Sequence, residues 1–175
     1  MSKVLVAGLG NIFLGDDGFG VELAQRLQRR PLPDHVQVVD FGIRGIDLAY
    51  ALLDDFALAI LVDTAQRGGA PGSLYLIEPE ADSTPPAPAA GDALFEGAHD
   101  LDPAQMLRMV RLLGGGCRRI LLLACEPESW GTESREQGRI GLSATVAAAV
   151  EPAIALVERL LSEVRQAPAQ TAQGG

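Results

Sequence analysis

The chain has 175 residues, the size of one compact unit, and at this length about 70% of the unfolded surface is buried on folding, so neither disulfides nor a structural metal is required. Apolar residues make up 47% and charged residues 21%, which excludes a disordered, collagenous or coiled-coil chain. Fourteen Lys and Arg against 23 Asp and Glu leave a net charge of −9; that balance repels a phosphate backbone and argues against nucleic acid as a partner.

The pattern of elements is α/β. Lys3 to Ala7 form a short apolar run that meets the turn Gly8-Leu9-Gly10-Asn11, the usual end of a buried parallel strand. After Asp16-Asp17, the spacing of Phe19, Leu23 and Leu27, with Ala24 beside them, predicts a helix that Pro31 stops. Val36 to Val39 predict a second strand, followed by Asp40, Gly42 and Gly45 and a short helix with Ile46, Ala49, Leu52 and Leu53 on its face. Phe56 to Val62 is the most apolar stretch and predicts the central strand, ending at Asp63; after a glycine-rich turn, Ser73 to Ile77 predict a fourth. Residues 78–98 carry Pro79, Pro85, Pro86 and Pro88 with no surviving period and lead to His99. A helix is predicted from Asp102-Pro103 with Met106, Leu107, Val110 and Leu113 inward, then a fifth strand over Ile120 to Ala124. Ser143 caps a last helix whose stripe runs from Val146 to Leu161, with a kink expected at Pro152. The sum is a single domain over residues 1–161, a twisted, mostly parallel five-stranded sheet between helices, with a flexible tail over 162–175.

Several residues carry chemistry. A strand, Gly8-x-Gly10 and a helix are parts of a dinucleotide-binding fingerprint, but the third glycine position is Phe13, and Asp16-Asp17 stand where a pyrophosphate needs bare amides. Two acids there suit a cation, or else they cap the helix. Asp63 ends an apolar strand, so its carboxylate needs a partner: a turn, a base or a metal. His99 closes the long irregular loop, and a lone histidine is more often surface or structural than a ligand until other ligands converge on it. Loops leaving the carboxyl ends of parallel strands share one crevice, and Asp17, Asp63 and His99 each lie in or beyond such a loop. Together they make an O, O, N set with open positions for water or a substrate group.

These residues carry a resemblance. The opening GLGNIFLGDDGFG, the strand end LVDTA, the loop histidine before a helix, and the EPES and GRIGLSATVAAAVEPA segments resemble the hydrogenase maturation endopeptidases over nearly the whole chain. The resemblance implies removal of a C-terminal peptide from the nickel-loaded precursor of a nickel-iron hydrogenase large subunit. It implies Asp17, Asp63 and His99 as ligands of nickel supplied by that precursor, with no separate catalytic group assigned. It puts Asp16, Asp40, Gly42, Arg44 and Gly45 on the substrate side. Where the family commonly has Asp-Gly-Gly-Thr-x-Gly, this chain has Asp40-Phe41-Gly42-Ile43-Arg44-Gly45, so Ile43 replaces a hydroxyl and Arg44 adds a positive group.

Competing readings are a thiol nucleophile at Cys125, a nickel-binding chaperone or sensor without protease activity, and a degenerate dinucleotide-binding domain. Cys125 lies between Ala124 and Glu126, surroundings that raise a thiol pKa rather than lower it. Cys117 and Cys125 form no C-x-x-C and suit a reducing compartment. No apolar run approaches the roughly 18 residues of a membrane span, and the N-terminal run is too short for a secretory leader. A cytoplasmic monomer is expected.

Overall fold

The computed structural model describes residues 2–78, 110–128 and 140–166. In chain order these hold β1 (Lys3–Leu9), a 3-10 turn (Gly15–Gly18), α1 (Phe19–Leu27), β2 (Val36–Gly42), α2 (Gly45–Ala51), β3 (Phe56–Thr64), β4 (Leu74–Ile77), β5 (Ile120–Cys125) and α3 (Ala144–Gln166). The five strands form one sheet in the order β2-β1-β3-β5-β4. β1 pairs in parallel with β2 and β3, and β3 with β5. β4 alone runs antiparallel, at the edge. All five strands expected from the apolar runs are present, in a mostly parallel sheet.

Both faces of the sheet are covered, which is why its inner strands are apolar without alternation. Val4, Val6, Leu58, Ile60, Val62, Leu121 and Leu123 face α1 and α3, meeting Phe19, Leu23, Leu27, Val146, Val150, Ile154 and Val157. The intervening residues Leu5, Ala7, Ala59, Leu61, Ile120 and Leu122 face the other way, onto Leu48, Leu52, Val110 and Cys117. The α2 face is therefore Leu48, Ala49 and Leu52, whereas Ile46, expected inward, is exposed. Ile46 stands about 200° around the helix from Leu48, so the face that buries Leu48 and Leu52 turns Ile46 toward solvent.

α1 lies unusually close to the sheet. A methyl group at Gly8 would stand 2.3 Å from the Gly20 carbonyl oxygen. One at Gly20 would stand 2.0 Å from the carbonyl oxygen of Val62 and 2.4 Å from that of Leu9. These two glycines let helix and strand backbones touch, which fixes α1 and the turn before it against β1 and β3.

α3 runs on through Pro152. Pro152 and Ala148, whose carbonyl it leaves without a helical partner, are both exposed, so water can satisfy that oxygen. Its N-terminus is capped as expected: the Ser143 hydroxyl accepts a hydrogen bond from Val146 N at 3.3 Å. The helix continues past Leu161 to Gln166. Residues 167–175, most of the expected tail, lie outside the described residues, as do the irregular 79–98 segment, His99 and the helix start at Asp102.

Candidate active site

β1 and β3 are neighbours, yet their connections leave to opposite sides of β1, since β2 packs on the far edge. Their carboxyl ends therefore flank a crevice at a topological switch point, the usual location of a site in an open α/β sheet. Leu9-Gly10-Asn11 leaves one strand and Asp63-Thr64 ends the other. The turn carrying Asp16 and Asp17 folds back over both.

Gly10 marks how tightly these pieces meet. Its φ is +121°, a conformation that favours glycine. A methyl group there would stand 1.7 Å from the Asp17 carbonyl oxygen and 3.7 Å from Asp63 Oδ1. The same residue donates its N–H to the Gly42 carbonyl oxygen at 3.0 Å, which ties the β1 and β2 loops together. The space a pyrophosphate would need is thus occupied by the protein's own backbone, and the dinucleotide reading fails on geometry as well as on Phe13.

The two expected carboxylate ligands are brought together. Asp17 is half-buried; its Oδ2 accepts from Asn11 N at 2.8 Å and its Oδ1 from the Thr64 hydroxyl at 3.4 Å. Asp63 is 7% exposed, and its Oδ1 accepts from Thr64 N at 2.8 Å. Thr64 therefore bridges them, with its backbone on one acid and its hydroxyl on the other. The turn over Gly68–Gly72, one partner expected for Asp63, donates a hydrogen bond to a different acid. His99, the third expected ligand, lies outside the described residues. Among the described residues no three His, Cys, Asp or Glu side chains gather closely enough to hold a metal ion. Two hard oxygen ligands, one at the end of β3 and one in the turn that follows β1, suit a divalent cation that finds further ligands elsewhere.

The acid that holds the turn is Glu126. It directly follows β5 and is 5% exposed. Its carboxylate accepts from Arg67 N at 2.9 Å, Gly68 N at 3.3 Å and the Tyr75 hydroxyl at 2.9 Å. Burial alone would raise its pKa; the amides of Arg67, Gly68 and Gly69 and the Tyr75 hydroxyl outweigh that and hold it below the ordinary carboxylate value. The hydrogen bond to Glu126, then burial and the negative charge of that acid, in turn push the Tyr75 hydroxyl up. An acid closing an all-apolar strand was the available signal, the same one that singled out Asp63.

Asp16 does not cap α1, whose N-terminus has no side-chain cap. It is fully buried, so in this conformation its carboxylate is out of reach of a substrate. Asp40 accepts from Gln25 Nε2 at 3.1 Å, which ties β2 to α1. Arg44 donates from Nε to the Phe41 carbonyl oxygen at 3.1 Å and from its terminal nitrogen to that of Asp40, and it lies over the Phe41 ring. The guanidinium closes the end of β2 while staying more than half exposed. Gly42, at φ +55°, makes the tight exit from β2. A methyl group at Gly45 would meet nothing within 4 Å. Ile43, in the position of the missing threonine, is exposed.

The thiol reading is eliminated by environment. Cys125 is fully buried, and its pKa is pushed up to about 12, chiefly by burial and then by the charges of Asp16 and Glu126. A thiol so placed is not a nucleophile near neutral pH.

Comparison with known proteins agrees with this geometry. Residues 21–160 match the model of the hydrogenase maturation protease family. The chain is 31% identical over 168 residues to the hydrogenase 2 maturation protease of Escherichia coli, covering 94% of this chain and 92% of that one. The structure of the hydrogenase maturating endopeptidase HybD from E. coli superposes with a TM-score of 0.70 at 27% identity, covering 93% of each chain. A hydrogenase 2 maturation peptidase from a Thaumarchaeota archaeon gives 0.66 at 29% identity, covering 92% of this chain and 99% of that one. The family model spans most of the chain, and the curated relative exceeds 30% identity across nearly its full length. This chain therefore belongs to the hydrogenase maturation protease family.

Proposed function

We propose that this protease removes the C-terminal extension from the precursor of a nickel-iron hydrogenase large subunit after nickel has been inserted. The observation that carries this reading is the pair of carboxylates, Asp17 and Asp63, held at one crevice by a shared threonine. Their number and hardness suit an ion that arrives already ligated by another protein. Asp17, Asp63 and His99 complete the coordination of nickel held in the precursor. The bound ion supplies Lewis acidity at the scissile carbonyl or at a water.

The chain's own residues supply position. Asn11 N and the Thr64 hydroxyl fix the Asp17 carboxylate, and Thr64 N fixes that of Asp63. Beside the first loop, a groove of about 390 Å³ lined by Ile12, Gly15, Val21, Gln25 and Leu142 gives an extended segment of the precursor a place to lie. Asp40 and Gly42 at the end of β2, with Arg44 and Gly45 just beyond it, are assigned to the precursor side. Arg44, exposed at its tip, meets a precursor carboxylate.

The partner is the precursor alone. Among the described residues no helix is long and apolar enough to cross a membrane. Arg30 pairs with Glu151 and Glu158, and Arg118 with Asp55, leaving these basic groups neutralised within the fold rather than gathered for a nucleic acid. The enzyme acts in the cytoplasm as a monomer. Asp17→Asn and His99→Ala are expected to fold, by circular dichroism and melting, yet leave nickel-loaded precursor uncut on a gel. Cleavage by either variant at the parent rate overturns the assignment.

A further inference from the structure

Asp16 and Asp17 are adjacent acids with opposite fates. Asp17 is half-buried at the crevice, while Asp16 is fully buried behind it. A carboxylate carried out of water must be satisfied by donors, or it destabilises the fold. Asp16 Oδ1 accepts from Ser143 N at 2.7 Å, and Oδ2 from the Ser143 hydroxyl at 3.1 Å and from Glu128 N at 2.9 Å. Ser143 also caps α3. One unbroken series of hydrogen bonds thus joins the first turn of α3, and the segment that leaves β5, to the residue next to Asp17.

The 3-10 turn over Gly15–Gly18 has four residues, and turns of this kind hold their shape poorly without tertiary support. No side chain caps it. The bonds on Asp17 run to Asn11 and Thr64, on the β1 and β3 side. Those on Asp16 run to Glu128 and Ser143, on the β5 and α3 side. We propose that Asp16 is a positioning residue for the reaction: by anchoring the turn from behind, it sets where the Asp17 carboxylate stands relative to Asp63. The assignment rests on Asp17 and Asp63 acting as the ion-gripping pair.

The test is Asp16→Asn, which keeps the side-chain volume but turns one accepting oxygen into a donor facing Ser143 N or Glu128 N. Two quantities are read. The amide resonance of Asn11 reports the Asn11–Asp17 bond directly and requires no substrate. The second is kcat and KM for cleavage of nickel-loaded precursor. The expected result is a folded protein with a displaced, faster-exchanging Asn11 amide and a kcat lowered on the order of 10- to 100-fold, the scale on which misplacing a reacting group acts, with little change in KM. An unmoved Asn11 amide together with parental kcat, while Asp17→Asn abolishes cleavage, overturns the proposal and spares the site. If Asp17→Asn cleaves normally, the site reading fails, and the Asn11 amide still decides whether Asp16 positions its neighbour. Should Asp16→Asn not fold, Ser143→Ala decides: it removes the hydroxyl bond to Asp16 and keeps the backbone one, so a displaced Asn11 amide supports the proposal and an unmoved one overturns it.

Discussion

Replacing Gly20 by alanine tests how the fold places its site. The added methyl group would stand 2.0 Å from the Val62 carbonyl oxygen and 2.4 Å from that of Leu9, whereas real methyl carbons essentially never approach within 3.0 Å. Both obstacles are sheet backbone, so no rotamer change relieves them, and α1 must retreat by about 1 Å. Overpacking of this kind costs about 1–3 kcal/mol, and a backbone-to-backbone clash belongs at the upper end. Alanine regains about 1 kcal/mol of helix propensity, leaving a net loss of about 2 kcal/mol. For a chain of this length that is a fall of roughly 4–8 °C in melting temperature. The retreat also drags the turn that carries Asp17 away from Asp63, so cleavage of precursor falls together with stability. Thermal melts and urea titrations of Gly20→Ala beside Gly45→Ala make the comparison, since a methyl group at Gly45 meets nothing within 4 Å and is expected to leave stability equal or slightly raised. A Gly20→Ala protein that melts with the parent would refute the reasoning.

Further outcomes follow from the buried acid and thiol. Glu126 has its folded pKa lowered, so its contribution to stability is present above the unfolded carboxyl value of about 4.3 and is lost as pH falls through the folded value. Glu126→Gln should therefore be less stable than the parent at neutral pH, with the gap closing in acid; equal gaps at pH 7 and pH 3 in urea titrations would contradict the assigned bonds. Tyr75→Phe removes one of those donors and should shift the acid limb of the stability curve to higher pH. Cys125, with its pKa pushed up to about 12, should resist iodoacetamide in the folded protein at pH 8 and react only after unfolding. Cys125→Ala should still cleave precursor, and loss of cleavage in a folded Cys125→Ala protein would reopen the thiol reading.

The inner strands β1, β3 and β5 were legible because two covered faces demand continuous apolar runs, and the half-buried edge strands β2 and β4 because short apolar runs stand between turn residues. Their ends were less so: β1 reaches Leu9 and β3 reaches Thr64, because burial and backbone pairing both continue past the expected runs, through a glycine in β1 and onto the polar pair Asp63-Thr64 in β3. Asp17 and Asp63 were legible as acids placed where a sheet needs none. Gly10 was visible as a glycine, but its reason, an intruding Asp17 carbonyl, exists only in space. The work of Asp16 was invisible for the same cause. Its partners lie 112 and 127 residues further along, and helix-start chemistry offered a nearer explanation that α1 does not use. Glu126 was overlooked because the polar residues after it disguised a buried acid as the start of a loop.

The most direct measurement incubates the purified protein with two preparations of hydrogenase large-subunit precursor, one nickel-replete and one nickel-free, and weighs the products by mass spectrometry. The account predicts loss of a C-terminal peptide from the nickel-replete precursor alone, and no loss from either when Asp17 or Asp63 is changed to asparagine. Equal trimming of both preparations, or trimming that survives those substitutions, would contradict it.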